Sequence, residues 1–360
     1  PAPGPFPPLR IGPLTVTVPV GLAPMAGVTN ASFRRLCREQ GESALPASLR
    51  PGAPGPLRAP DGSLTAPAGL YVTEMVTTRA LVERRERTLA MVRPDPAERV
   101  RSVQLYGVDP VVAGQAVRIL VEEDLADHID LNFGCPVSKV TRRGGGAALP
   151  WKRDLLAAIL RETVRAAEAA SRAAHRDAVP VTMKMRIGID PEHETFLEAG
   201  RTAQDAGIAA VTLHARTARE HYSGHAHWER VAALKEAVDI PVLGNGDVWT
   251  GDDAAAMMRS TGADGVVVGR GCQGRPWLLA DIVHALTGSG ERARPDLDAV
   301  LDTLREHARL LAAELGEDRG VRDLRKHVGW YLRGYPVGGA GRAALARVGS
   351  LAGLEAALAQ

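Results

Sequence analysis

The chain has 360 residues, 45% hydrophobic and 24% charged, with a formal net charge of +2. Such a chain buries a large core, and its length fits one big domain plus a smaller one. The near-balanced charge excludes bulk electrostatics as a reason to bind nucleic acid, so any such site has to be a local patch. The first residues, PAPGPFPPLRIG, carry no basic-then-apolar signal pattern, and no apolar run is long enough to cross a bilayer. A cytoplasmic protein with no membrane partner is expected. Short apolar segments then recur as predicted strands at 21–25, 70–73, 102–106, 128–132, 181–185, 210–214, 241–244 and 265–268. Helix-like stretches lie between them at 31–40, 110–122, 152–174, 193–205, 227–237, 251–260 and 276–286. Strand–helix alternation with nearly continuous apolar strands argues for a parallel sheet covered by helices.

Eight such units in about 250 residues predict an α/β fold of the (β/α)8 TIM-barrel type. A doubly wound sheet is the structural alternative. It explains less well why polar and glycine-rich residues gather at the carboxyl ends of most strands, where a barrel builds its active site. Residues 1–290 are read as the barrel domain. Within it, the Pro- and Gly-rich segment 41–69 shows no core-forming period and is read as a mobile insertion. Residues 291–360 show helical pattern only and are read as a small all-helical domain. No helix shows a spare apolar face, so a monomer is expected.

The strand ends supply the candidates for chemistry. The first gives Pro24, Met25 and Ala26; the third gives Gln104; the fourth gives Asn132 and Cys135. The fifth gives Lys184 and Arg186, the sixth His214 and Arg216, the seventh Asn245, Gly246 and Asp247, and the eighth Gly269 and Arg270. Gly-rich turns entering helices expose backbone N–H groups, and a phosphate commonly sits after strands seven and eight of a barrel. The GNGD and GRG loops therefore read as a phosphate cradle or, alternatively, as tight turns. Lys184 in VTMKMRIG lies within a buried strand, which is costly unless it meets a ligand anion or a carboxylate such as Glu74 or Asp130. Gln104 and Asn132 offer donor and acceptor groups suited to an imide edge, or serve as structural amides. His214 either caps its strand or binds a ligand.

The three cysteines, Cys37, Cys135 and Cys272, form no CxxC pair and no metal-ligand spacing, so no metal is expected and at most one thiol is chemically active. Cys37 lies on the apolar face of a helix, and Cys272 is read as packing. Cys135 instead sits in a Gly-Cys-Pro turn that presents its side chain. As a nucleophile it would need a neighbouring base, whereas as a proton donor it would need to stay protonated at neutral pH.

The motifs APMAGVTNASFR (23–34), VQLYG (103–107), DLNFGCPVSKV (130–140), MKMRIG (183–188), TLHARTA (212–218), LGNGDV (243–248), GVVVGRGCQGRPWL (265–278) and RKHVGWYLRGYP (325–336) resemble those of the tRNA-dihydrouridine synthases, bacterial DusB-type branch. The resemblance covers nearly the whole chain apart from 41–69 and the last few residues. It implies FMN at the barrel mouth, reduced by NADPH in preference to NADH, and reduction of uridine to 5,6-dihydrouridine in the D-loop of tRNA, with U17 favoured. Pro24, Met25 and Ala26 would line the flavin ring, Gln104 would bind its edge, and Lys184 and His214 would lie beside it. Asn245, Gly246, Asp247, Gly269 and Arg270 would surround its phosphate. Asn132 and Arg216 would face the substrate, and Cys135 would donate the proton to C5 after hydride addition at C6.

Further substrate contacts are expected from Lys139 and Arg142, which with Arg143 and Gly144–Gly146 form a loop that orders over RNA. Between Arg319 and Arg347 seven Lys and Arg stand against one Asp, +6 in a chain whose total is +2. Helical spacing puts Arg322, Arg325, Lys326 and Arg333 on one face, suited to a tRNA backbone. Two rival functions are a flavin-dependent reductase of a free pyrimidine or other small molecule, and a catalytically silent tRNA-binding protein. The basic helix argues against the first. Cys135, Lys184 and the phosphate loops argue against the second.

Overall fold

The computed structural model describes residues 6–142, 144–290, 292 and 294–359, with the side chains of Ser138 and Lys139 outside the description. In chain order the strands are β1 (Leu9–Ile11), β2 (Leu14–Val16), β3 (Val20–Leu22), β4 (Leu57–Arg58), β5 (Leu64–Ala66), β6 (Leu70–Thr77), β7 (Ser102–Tyr106), β8 (His128–Phe133), β9 (Val181–Arg186), β10 (Val211–His214), β11 (Val242–Asn245) and β12 (Gly265–Val268). Eight of them close into a parallel barrel in the order β10-β11-β12-β3-β6-β7-β8-β9. These are the eight predicted strands, and the fold is the expected TIM barrel. A doubly wound sheet has open edges, whereas here β9 pairs with β10 and the ring is complete.

The strands hold this arrangement because their outward residues are apolar. Ile129, Leu131 and Phe133 of β8 pack with Leu156, Ile159 and Leu160 of the helix Arg153–Ala173, all of them buried. That helix repeats apolar residues at three- and four-residue spacing, so one stripe faces the sheet. Helix ends are set locally. Asp109 caps the helix Pro110–Glu122 through the N–H groups of Val111 and Val112. Thr250 and Asp253 form a capping box at the start of the helix Gly251–Thr261, which Gly262 ends in the left-handed region at φ +69°.

The expectation for residues 41–69 is corrected. The segment contains β4 and β5, which join β1 and β2 in a four-stranded sheet of order β1-β2-β5-β4. Leu9, Ile11, Leu14, Val16 and Ala66 of this sheet pack against Leu70, Val72, Leu243 and Val267 of the barrel strands. The sheet thus covers the end of the barrel opposite the mouth. The strands are only two or three residues long, too short for a period to emerge, and their apolar partners lie elsewhere in the chain.

After Gly288 the described residues form helices only, at Leu297–Leu315, Glu317–Tyr331, Gly339–Leu345 and Leu351–Leu358. They share a core of Val300, Leu304, Leu311, Val321, Leu324 and Tyr331. This unit is seated on the first barrel helix, Ala31–Ser43. Glu314 accepts from the backbone N–H of Ser32 at 2.8 Å and from its hydroxyl at 2.6 Å. The Phe33 ring packs on His307 and His327 at centroid distances of 5.7 and 5.8 Å. Among the described residues no helix is long and apolar enough to cross a membrane.

Candidate active site at the carboxyl ends of the strands

One cavity of about 540 Å³ opens at the carboxyl ends of the barrel strands. Pro24, Met25, Ala26, Gln104, Asn132, Cys135, Lys184, His214, Asn245, Gly246, Asp247, Gly269 and Arg270 all line it. The barrel brings together thirteen residues that are spread over some 250 positions of the chain. Cys37 and Cys272 are fully buried, as their sequence contexts implied.

The Cys135 turn is held from beneath. The Oδ1 of Asn132 accepts from the N–H of Gly134 at 3.1 Å and from that of Cys135 at 3.0 Å. The Cys135 carbonyl accepts from the N–H of Ala147 at 3.0 Å. Arg186 donates from Nε to the Gly134 carbonyl at 2.9 Å and from Nη1 to the carbonyls of Thr217 and His221 at 2.9 and 3.0 Å. Arg186 therefore ties the turn to the loop after β10. Burial pushes its pKa down to about 10, with nearby Arg216 and Arg270 adding to the effect against Tyr222 and Cys135.

Lys184 and His214 are poorly matched by protein partners. No carboxylate lies within ion-pair distance of Lys184 among the described residues. Asp130 is occupied by Thr182 and Gln104, and Glu74 accepts from the N–H of Gly27 at 2.5 Å. The internal ion pair weighed for Lys184 is thus not made. Burial, then the Arg186 charge, pulls the Lys184 ammonium down to about 8, against the pull of Asp130 and Cys135. The Nε2 of His214 is buried without a hydrogen-bond partner. Burial and the charges of Lys184, Arg186, Arg216 and Arg270 keep this imidazole neutral.

On the far side, the Asn245 amide donates to the Val267 carbonyl at 2.6 Å. Gly246 (φ +127°) and Asp247 (φ +55°) turn the chain sharply. A Cβ on Gly246 would lie 2.8 Å from that of Ala226, so this turn requires glycine. Arg270 packs over two aromatic rings, with its guanidinium carbon 4.2 Å from the Tyr222 centroid and 5.6 Å from that of Trp249. Tyr222 and Trp249 are site residues that sequence reasoning did not single out, whereas Arg186 lines the cavity as its place at the fifth strand end implied. The aromatics lie in polar loops with no motif around them.

Arg216 is a correction. It is 1% exposed and does not line the cavity. Its Nη2 donates to both Asp247 oxygens at 2.7 and 2.8 Å, and Nε and Nη2 reach the carbonyls of Ser223 and Gly224 at 3.0 Å each. Instead of facing a substrate, it braces the seventh-strand loop. The mismatch arises because β10 ends at His214, and the chain turns inward at Arg216 toward a carboxylate 31 residues later.

The basic helix is also less free than its charge count implied. Arg322 pairs with Asp318 and Lys326 with Asp323, each at 2.6 Å. Arg325 donates twice to the Val348 carbonyl, at 2.9 and 2.8 Å. Arg333 is exposed. Lys326 Nζ lies 3.8 Å from the position a Cβ on Gly27 would take, so this helix reaches the rim of the mouth. Arg142 is exposed and does not line the cavity. The Lys139 side chain and Arg143 lie outside the described residues.

A closed parallel barrel with titratable groups converging at the carboxyl ends of its strands has the layout of a TIM-barrel enzyme. A family profile described as dihydrouridine synthase matches residues 21–359. A probable tRNA-dihydrouridine synthase of Mycobacterium tuberculosis (strain CDC 1551 / Oshkosh) is 53% identical over 96% of this chain and 82% of its own length. The tRNA-dihydrouridine synthase B of Xanthomonas campestris pv. campestris is 38% identical over 91% of this chain and 88% of its own. The structure of histamine dehydrogenase from Rhizobium sp. 4-9 superposes with a TM-score of 0.52 at 15% identity, covering 86% of this chain and 50% of that one, and shares the fold. The chain belongs to the dihydrouridine synthase family of enzymes.

Proposed function

We propose that this enzyme reduces uridine to 5,6-dihydrouridine in the D-loop of tRNA, using FMN held in the barrel mouth and NADPH as reductant. The observation that carries the reading is the convergence of Cys135, Lys184, His214, Gln104 and Asn132 on one cavity. The residues present fit a flavin. A half-buried ammonium without a carboxylate and a buried imidazole nitrogen without a partner both call for a polar ligand, and the cavity is of cofactor size. Pro24, Met25, Gln104, Lys184 and His214 would hold the ring, and Arg270 with the Asn245–Asp247 and Gly269 turns would hold the phosphate. Bound FMN supplies the hydride for C6 of uracil.

The protein's own groups do the rest. Cys135 carries a proton on Sγ to C5, and its turn is fixed by Asn132 and Arg186, so little orientational freedom remains to be lost. Lys184, still mostly protonated at neutral pH with a pKa of about 8, offsets negative charge developing nearby. On the tRNA side, the Arg322–Asp318 and Lys326–Asp323 pairs are exposed or half-exposed. Such pairs contribute only about 0.5 kcal/mol, so a phosphate competes for either cation. Together with Arg325, Arg333, Lys139 and Arg142 they form the proposed backbone contacts.

The test is dihydrouridine mapping on tRNA from cells lacking this gene, beside cells carrying only Cys135→Ala. Loss of D-loop positions, with U17 first among them, is expected in both. Dihydrouridine unchanged in both, in cells with no second such enzyme, would overturn the reading in favour of a small-molecule reductase.

A further inference from the structure

Three adjacent strands put polar residues on the inside of the barrel in matching register. Ser102 and Gln104 of β7 stand beside His128 and Asp130 of β8, and Asp130 stands beside Thr182 of β9. All five are at most 5% exposed. From Asp130 a directed chain of hydrogen bonds runs to the Cys135 turn. Gln104 Nε2 donates to Asp130 Oδ2 at 2.7 Å, and Asn132 Nδ2 donates to Gln104 Oε1 at 2.8 Å. Asn132 Oδ1 then accepts from the N–H groups of Gly134 and Cys135.

The two ends of this chain impose one direction. Backbone N–H groups can only donate, so Asn132 has to present its oxygen to them and its NH2 to Gln104. Gln104 then has to present its oxygen to Asn132 and its NH2 to Asp130, which therefore has to accept. Reversing Asn132 sets donor against donor at the turn, and reversing Gln104 sets donor against donor at Asn132 and acceptor against acceptor at Asp130. Thr73 fixes the Gln104 backbone as well, its hydroxyl accepting from the Gln104 N–H at 3.1 Å where the β6–β7 register shifts.

We propose that Asp130 is a positioning residue for Cys135, setting through Gln104 and Asn132 the only amide orientation in which the Gly134–Cys135 turn is held. The branch on its other oxygen isolates this function from Asp130's protonation. Thr182 donates to Asp130 Oδ1 at 2.6 Å, and His128 joins Thr182 at 2.8 Å and Ser102 at 2.6 Å. Hydroxyls and a neutral imidazole can each reverse. A proton on Oδ1 is accommodated when Thr182 turns to donate to His128 Nε2 and His128 Nδ1–H donates to Ser102. Oδ2 stays an acceptor in both arrangements. Burial raises the Asp130 carboxyl, against the hydrogen bonds of Thr182 and Gln104 and the Lys184 charge, which is the direction that favours the proton this reversal accommodates.

The role as Cys135's positioner in catalysis rests on the proposed function, but its geometric core does not, and the experiment separates the two. Amide hydrogen exchange at Gly134 and Cys135 is measured in the purified protein and in Asp130→Leu, Asp130→Asn and Thr182→Val. Asp130→Leu is expected to speed exchange at both amides about ten-fold, the scale of one lost hydrogen bond. Asp130→Asn is expected to match the parent within about two-fold, because its Oδ1 still accepts from Gln104 while its NH2 faces a reversed Thr182. Thr182→Val, which spares the Gln104 branch, is expected to leave both amides protected. Should Asp130→Leu fail to fold, Gln104→Leu breaks the same relay and is expected to give the same result. Unchanged exchange in the Leu variant that folds, or Asp130→Asn as fast as Leu, overturns the proposal. In single turnovers with tRNA, Asp130→Leu is expected to slow substrate reduction about ten-fold while reduction of the enzyme by NADPH stays within about two-fold. Absence of tRNA turnover in the parent protein would instead count against the functional reading, leaving the exchange result to stand alone.

Discussion

The Arg216–Asp247 pair offers a quantitative test of how the seventh-strand loop is held. Asp247→Asn keeps the size of the side chain and tolerates the left-handed backbone at φ +55°, so it isolates the charge. An asparagine oxygen can accept from Arg216 or from the Ala226 N–H, which now lies 2.7 Å from Asp247 Oδ2, but its NH2 then faces another donor. Arg216 is left 1% exposed with an uncompensated charge. Breaking a buried pair from one side costs 3–5 kcal/mol, and because the Asp247 side chain is 22% exposed the low end applies, about 3 kcal/mol. For 360 residues that corresponds to a loss in Tm of roughly 4 °C.

The assay is urea denaturation of the parent, Asp247→Asn, Arg216→Met and the double variant at pH 7. A coupling energy of about 2 kcal/mol is expected from the cycle. Burial raises the Asp247 carboxyl, but the bonds from Arg216 and Ala226 and the charges of Arg216 and Arg270 outweigh it and leave it below its ordinary value. Its contribution is therefore complete above the unfolded carboxylate range, near pH 4, and is lost as pH falls through the lower folded value. The gap between parent and Asp247→Asn should close on acidification below pH ~4. A cost under about 1 kcal/mol at pH 7, or coupling under about 0.5 kcal/mol, would refute a bracing role for Arg216.

Lys184 binds its proton less tightly when folded, at about 8, than in the unfolded chain, so the cofactor-free protein should gain stability from pH ~8 to ~10.4. The gain is on the order of 2 kcal/mol, and Lys184→Met should abolish it in denaturation at each pH. His128 and His327 are pulled down to about 3 by burial and His307 well below its ordinary value, so all three stay neutral in the fold. Unfolding then takes up protons below pH ~6.5; Tm should fall between pH 7 and 5, and His327→Leu should flatten that slope. Gly274, at φ +66°, packs its α-carbon on the backbone of Trp330 and Tyr331. Gly274→Ala should loosen the C-terminal helices from the barrel, read as faster proteolysis between residues 288 and 296 with the barrel fragment left intact.

The barrel was legible because its strands are local. Each is a run of three to eight residues with apolar outward positions, and the turn and helix signals follow at once in the chain. The Gly-Cys-Pro turn and the glycine loops were legible for the same reason, since a constrained backbone leaves its mark in consecutive residues. The inner face of β7, β8 and β9 was visible too, as polar residues at alternate positions in SVQLY, HIDLNF and VTMKMR. What each polar group bonds to was not. Gln104 meets Asp130 only because the register of two parallel strands places them side by side, and that register is fixed by the closure of the whole ring.

Long-range partners decided the rest. The sheet covering the closed end of the barrel needs β1 and β2 to meet β4 and β5 across some 50 residues, with strands too short to show a period. Arg216 and Arg186 read alike in sequence, as basic residues just past a strand, yet one braces Asp247 and the other ties down the thiol turn. The cations of the C-terminal helix found carboxylates three and four residues away and a carbonyl 23 residues on. Sequence alone determined which segments are strands, where the chain turns and which side chains are suited to chemistry, because backbone preference and hydrophobic period act between near neighbours. Only the tertiary structure decided which of those side chains face the cavity and which are spent on holding it, because a charged or polar group takes whatever partner the closed barrel brings within reach.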